Sequence, residues 1–252
     1  MNGLSTFLGK EVAEFLRTWR VWVLVGIVVV MAVSSPVMAR LTPLLLSSLE
    51  TSGITITVPD PTWRDSYLQW AGNLGELVLF ALIVMLGGVV AGELKSGTAL
   101  LVLTKPLTRP AFLLAKFLAN AGFVIAATVI GAVVTWVGTL WLFGEAPVRP
   151  LVASTAAWLV WAVCFIAVMV LVSSLVAQPL AGAGLGFGVY VLVSLVGVWG
   201  PARRWSPLGL LNGPTSLATG EPVALTWPIV TTVLLTAALL ATAVVTFRRR
   251  EL

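Results

Sequence analysis

From Pro150 to Ala202 the chain runs for 53 residues without a single Asp, Glu, Lys or Arg. As one α-helix rising 1.5 Å per residue, that stretch would be about 80 Å long. The hydrocarbon core of a bilayer is only about 30 Å thick. Water is no better a home for it: soluble domains carry about 25% charged residues, whereas this 252-residue chain carries 10% and is 59% hydrophobic. The stretch must therefore double back inside a membrane. Gln178-Pro179 is the natural hairpin, because a proline fixes its own φ and pushes the preceding residue out of the helical region.

One crossing takes roughly 20 residues, which predicts six spans, at about 21–39, 70–92, 117–144, 151–177, 180–200 and 225–247. The expected fold class is an all-α integral membrane protein, a single transmembrane domain over 1–252. Basic residues set its orientation. Ten of the fifteen lie on the side of the termini, namely Lys10, Arg17, Arg20, Lys95, Lys105, Arg109, Lys116, Arg248, Arg249 and Arg250. Arg40, Arg64, Arg149, Arg203 and Arg204 fall opposite. Positive charge gathers on the cytoplasmic side, so both termini are expected in the cytoplasm of a multi-pass cell-membrane protein. The net charge of +5 is then a topology signal that meets anionic lipid, with no nucleic-acid partner implied. Trp70, Trp141, Trp199 and Trp227 fall at the predicted outer span ends, where an indole can be half apolar and half wet.

The first 39 residues imitate a secretory signal, with a basic start, an apolar Val21–Val33 and a small-residue end at Val37-Met38-Ala39. A retained segment is expected instead. Leu4, Leu8, Val12, Phe15, Leu16 and Trp19 recur at helical spacing, with Lys10, Glu14 and Arg17 opposite, the pattern of an amphipathic helix over 1–20 lying in the membrane interface. Gly3 to Glu11 resembles a phosphate-binding loop only superficially, because Glu11 stands where Ser or Thr is required. No nucleotide site, metal site or cofactor is expected in the chain. Histidine is absent and Cys164 is the sole cysteine, so neither a disulfide nor a structural zinc site is expected. An intramembrane protease would need paired aspartates, and Asp60 and Asp65 both lie in a predicted loop. The chain does not read as an enzyme.

The segment 93–116 is the exception to this apolar background. Glu93 and Lys95 end the second span, and Ser96-Gly97-Thr98 breaks it. Thr98 can cap a short greasy helix through Ala99, Leu100, Leu101, Val102 and Leu103, followed by a rigid turn at Lys105-Pro106-Leu107-Thr108-Arg109-Pro110. Thr108 is placed to cap the next helix, with Pro110 in its first turn. Such a stiffened knob suits force transfer to a partner. It equally suits an interfacial turn held to lipid headgroups, and the pattern alone does not separate the two.

These residues resemble the permease subunits of ABC-2-type ATP-driven exporters. That family is similar in having six helices and a motif of the form E-x(2–4)-G-T-x-x-x-L-x-x-P-x-[ST]-R-x(5–6)-G-K after the second span. Here Glu93, Gly97, Thr98, Leu101, Leu103, Pro106, Thr108, Arg109 and Lys116 follow in that order, with Ala115 replacing the usual glycine. Lys10-Glu11 with Phe15-Leu16-Arg17, Ser35-Pro36 ending the first span, and Trp205-Ser206-Pro207 with Thr219-Gly220-Glu221 also look like the family. The resemblance implies a short cytoplasmic coupling helix between spans two and three. Glu93, Gly97, Thr98, Leu100, Leu101, Leu103, Pro106, Arg109 and Lys116 would form the element that docks on a separate nucleotide-binding ATPase. It further implies two copies of that ATPase, which bind the ATP and Mg, and a second permease chain, identical or homologous, pairing around a central path.

Two further features stay open. Gly182 with Gly186, and Gly184 with Gly188, form overlapping small-residue pairs that serve either a dimer or gating interface or packing within one bundle. Glu76, beside Asn73, is an intramembrane carboxylate, suited to a cationic substrate, to a proton, or to pairing with an outer arginine at headgroup level. Arg203-Arg204 with Trp205, Leu208, Leu210 and Leu211 predicts an interfacial or re-entrant hairpin. The alternative to an ATP-driven permease is an ion-coupled transporter or channel working without ATP.

Overall fold

A computed structural model describes residues 2–47, 59–98 and 108–249. The regular elements among them are all helical. In chain order they are α1 (Asn2–Arg17), α2 (Trp19–Ser47), α3 (Trp63–Asn73), a π-helical turn (Leu74–Val78), α4 (Leu79–Leu86), α5 (Ala91–Ser96), α6 (Arg109–Phe143), α7 (Val148–Leu175), α8 (Pro179–Val196), α9 (Gly200–Trp205), α10 (Gly209–Ala218) and α11 (Thr226–Arg248). Six stretches are long and apolar enough to cross a membrane: Val21–Leu45, Trp63–Ser96, Arg109–Phe143, Val148–Leu175, Pro179–Val196 and Thr226–Arg248. The chain is a six-helix, multi-pass membrane protein. The most buried of the six is α7, which packs against α6, α8, α10 and α11 and carries the fully buried Trp158, Phe165, Ile166, Met169 and Val170.

The span boundaries differ from expectation where side chains rescue the backbone. The first helix does not stop at Ser35-Pro36 but continues through Pro36 and Pro43. Proline at 36 removes the N–H that would bond to the Ala32 carbonyl, and Thr135 of α6 supplies a substitute at 3.3 Å. The second span begins at Trp63, well before 70, because Thr62 and Asp65 form a capping box. The Asp65 carboxylate accepts from the Thr62 N–H at 2.8 Å. Asp65 is thus a helix cap and not a loop residue. The third helix starts at Arg109 with Thr108 as its N-cap, accepting from the Ala111 N–H at 3.4 Å, and with Pro110 in its first turn, so 109–116 belongs to α6. The hairpin at Gln178-Pro179 separates α7 from α8 as expected.

Two expectations about faces are corrected. Trp141, Trp199 and Trp227 are exposed, but Trp70 is fully buried. Its indole N–H donates to Thr155 Oγ1 at 3.1 Å, and its ring lies where a side chain on Gly131 would stand. On α1 the inward stripe runs through the buried Phe7 and Glu11 and the half-buried Leu4, Leu8 and Phe15, while Val12, Leu16 and Trp19 are exposed. The helix is rotated relative to the expected apolar face so that a carboxylate points inward.

Candidate functional site

The inward carboxylate has a partner 105 residues away in sequence. Lys116 of α6, 3% exposed, donates to Glu11 Oε2 at 3.1 Å and Oε1 at 3.3 Å. Its ammonium also reaches Glu93 Oε1 of α5 at 2.5 Å. Three elements, α1, α5 and α6, are thereby locked through one ammonium. A second ammonium stands at the edge of this trio, Lys10 Nζ lying 3.7 Å from Glu11 Oε1. Burying ions is tolerable only when they are paired and hydrogen-bonded, and the satisfaction here is incomplete: Glu93 Oε2 and Asn120 Oδ1 are buried without partners. A cavity of about 340 Å³ adjoins the cluster, lined by Glu11, Glu93, Lys116, Asn120 and Gly88 among others. Lys10 flanks it, bound to Glu14 at 2.6 Å. Partial burial pulls the Lys10 ammonium down. Its hydrogen bond to Glu14 and the charges of Glu11, Glu14 and Glu93 outweigh that, holding its pKa above the ordinary 10.5.

From this cluster the chain leaves and returns. Gly97 ends α5 with φ of 72°, a left-handed conformation that glycine adopts without strain. Ser96 and Thr98 hydroxyls bond each other at 2.8 Å, and Thr98 donates to the Glu93 carbonyl at 3.4 Å. Leu100, Leu101, Leu103 and Pro106 lie outside the described residues. On the return side the Arg109 guanidinium donates to the carbonyls of Phe247 and Arg248 at 3.2 and 2.8 Å. It caps the C-terminal end of α11, where unpaired carbonyls and the helix dipole favour a cation. Lys116 thus faces inward into the lock, and Arg109 is committed to a neighbouring helix.

The second span is fractured between α4 and α5. Where the helix breaks, Ser173 of α7 takes over: its hydroxyl donates to the Gly87 carbonyl at 2.9 Å and accepts from the N–H groups of Val90 and Ala91 at 3.0 and 3.1 Å. Irregular backbone at membrane depth persists where protein groups satisfy it. The fracture packs against the start of α8. A methyl on Gly182 would stand 2.1 Å from the Gly87 carbonyl oxygen, and one on Gly186 would meet the Met169 sulfur at 2.4 Å. Gly182 and Gly186 therefore pack within the bundle. Gly184 and Gly188 have nothing within 4 Å and share an exposed face with Leu185 and Leu192. The two overlapping pairs serve different sides of α8.

At the opposite end of the bundle Glu76 sits in the π-helical turn, a local widening often found at functional sites. Of the three readings left open for Glu76, pairing with an arginine is not seen, since among the described residues it makes no ion pair; Asn73 donates to Ser35 Oγ at 3.0 Å. Glu76 lines a cavity of about 380 Å³ together with Trp158, Trp161, Ser194, Arg203 and Asn212. The expected hairpin is present as α9 and α10, with Leu210 buried, and α10 packs on α7 and α3.

Sequence reading missed Glu11 and Ser173. A glutamate in register with Leu4, Phe7, Leu8 and Phe15 was the available signal for the first. A serine pair in a charge-free span gave no comparable signal for the second.

The fold and these sites define a six-span membrane protein with a buried ion lock at one end and an acidic and basic cavity at the other. Residues 59–252 match the family described as Protein of unknown function (DUF2705), and the chain belongs to that family. No curated protein matches it.

Proposed function

We propose that the protein is the membrane-spanning permease subunit of an exporter driven by a separate ATPase. The observation that carries this reading is the Glu11–Lys116–Glu93 lock, which ties together α5 and α6, the helices on either side of residues 99–107, and α1 with them. A partner gripping that segment would pull on α1, α5 and α6 together. The fracture at Gly87–Val90 then carries the displacement to α7 through Ser173 and to α8 through Gly182. Arg109 contributes by tying the same root to α11, and Lys116 by positioning Glu93. Leu100, Leu101, Leu103 and Pro106 are the residues proposed to touch the ATPase directly. The excess of Lys and Arg at that end supports cytoplasmic termini, and the exposed Gly184–Gly188 face of α8 is suited to a second permease chain.

The experiment is a gentle detergent purification of the tagged protein from its host. A nucleotide-binding ATPase should copurify, and Leu101→Asp should release it without lowering the amount of folded permease. Absence of any ATPase, or an intact complex in the variant, counts against the coupling role. The unpaired Glu76 in its π-helical turn supports a second reading, ion-coupled transport without ATP. Vanadate-insensitive, proton-dependent transport by the purified subunit in liposomes would favour it.

A further inference from the structure

The cavity around Glu76 holds opposite charges that do not neutralise each other. Glu76 lines it from the second span and Arg203 from α9, yet no ion pair joins them. Arg203 spends one N–H on the Val198 carbonyl at 3.1 Å, and a guanidinium has five such donors in all. Trp158 and Trp161 wall the cavity with their rings, while their indole N–H groups are shut away from it. Ser194 and Asn212 add further polar groups.

We propose that this cavity binds a zwitterion, a molecule bearing an ammonium and a phosphate or carboxylate, with Glu76 taking the cation and Arg203 the anion. An anion alone would face the Glu76 carboxylate, and a cation alone would face the guanidinium. A zwitterion satisfies both. The volume of about 380 Å³ lies in the range of small-molecule sites, about 300–1,000 Å³. The same chemistry is found in free phosphoethanolamine-type solutes and in the headgroup of phosphatidylethanolamine. The site goes beyond the ATP-driven reading and stands whether or not an ATPase drives the protein.

The test uses the full chain in dodecyl maltoside, which carries no charge. Glycerophosphoethanolamine is titrated by calorimetry, with glycerol 3-phosphate as the anion-only control. In a parallel arm, native mass spectrometry compares retention of phosphatidylethanolamine with that of phosphatidylglycerol. Saturable calorimetric binding identifies a free zwitterion, and selective lipid retention identifies a headgroup. Either supports the proposal if Glu76→Gln and Arg203→Gln each weaken it about tenfold, as expected for loss of a charged hydrogen bond. Should one charge variant fail to fold, the other decides. No binding in either arm, equal binding of the anion-only probes, or binding unaffected by a folded charge variant overturns it. ATPase copurification is unaffected by any of these outcomes.

Discussion

Replacing Lys116 with Met tests the ion lock most directly. The side chain is almost fully enclosed, as is that of Glu11, while Glu93 is less so. Met fills most of the volume of the lysine stem, so the substitution chiefly removes charge and leaves two carboxylates facing each other, with only the half-exposed Lys10 ammonium 3.7 Å from Glu11. Removing one partner of a buried pair costs about 3–5 kcal/mol, because the remaining charge is uncompensated. For a chain of this length each kcal/mol moves the thermal midpoint by about 2–4 °C, so a loss of about 6–20 °C is expected. The protein carries its own reporter. Cys164 is the sole cysteine and is buried in α7, so a maleimide dye that fluoresces on reaction follows unfolding. The informative comparison is the triple variant Glu11→Gln, Glu93→Gln, Lys116→Met, which has no buried charge at that place. Apolar and neutral replacements of whole buried ion clusters are often tolerated, so it should recover more than half of the lost midpoint. A shift below about 2 °C for Lys116→Met, or a triple variant no better than the single, would refute the lock.

Adding one methyl separates the two faces of α8. Gly182→Ala drives a Cβ into the Gly87 carbonyl and should cost about 1–3 kcal/mol as overpacking, whereas Gly184→Ala meets nothing and should leave the midpoint unchanged or raised, since alanine is the better helix former. Equal effects in the same thiol-reactivity assay would contradict the assignment of faces. The Lys10 ammonium, held above its ordinary 10.5 by the acids around it, contributes stability in full below that value and loses it as pH rises through the folded value. The contribution is small because the side chain is half exposed. Circular-dichroism melts between pH 9 and 12 should therefore show a steeper decline for the native chain than for Lys10→Met, and parallel declines would dismiss the effect.

What could be read from the sequence was whatever is encoded locally. The charge-free run announced the α7–α8 hairpin, and Thr108 with Pro110 announced the start of α6. Gly97 marked the end of α5 because few other residues tolerate its φ. What escaped depends on partners distant in sequence. Glu11 looked only like the residue that spoils a phosphate-binding loop and part of the family-like Lys10-Glu11 pair, because its partner Lys116 lies 105 residues away. Pro36 looked like a stop because the substitute donor, Thr135, belongs to another helix. Trp70 resembled an interfacial anchor, yet Gly131 and Thr155 together make room and an acceptor for it inside. The π-helical turn at Glu76 had no sequence signature at all.

The Ser173 hydroxyl that mends the second span also limits how that span can bend. Three backbone groups depend on one oxygen atom, and each would cost about 1–3 kcal/mol if stranded in an apolar interior. Rotation of α5 that keeps the N–H groups of Val90 and Ala91 against α7 is inexpensive, and translation away from α7 is not. The break therefore behaves as a pivot with a fixed bearing, and α5 can tilt about its inner end without sliding along the bundle.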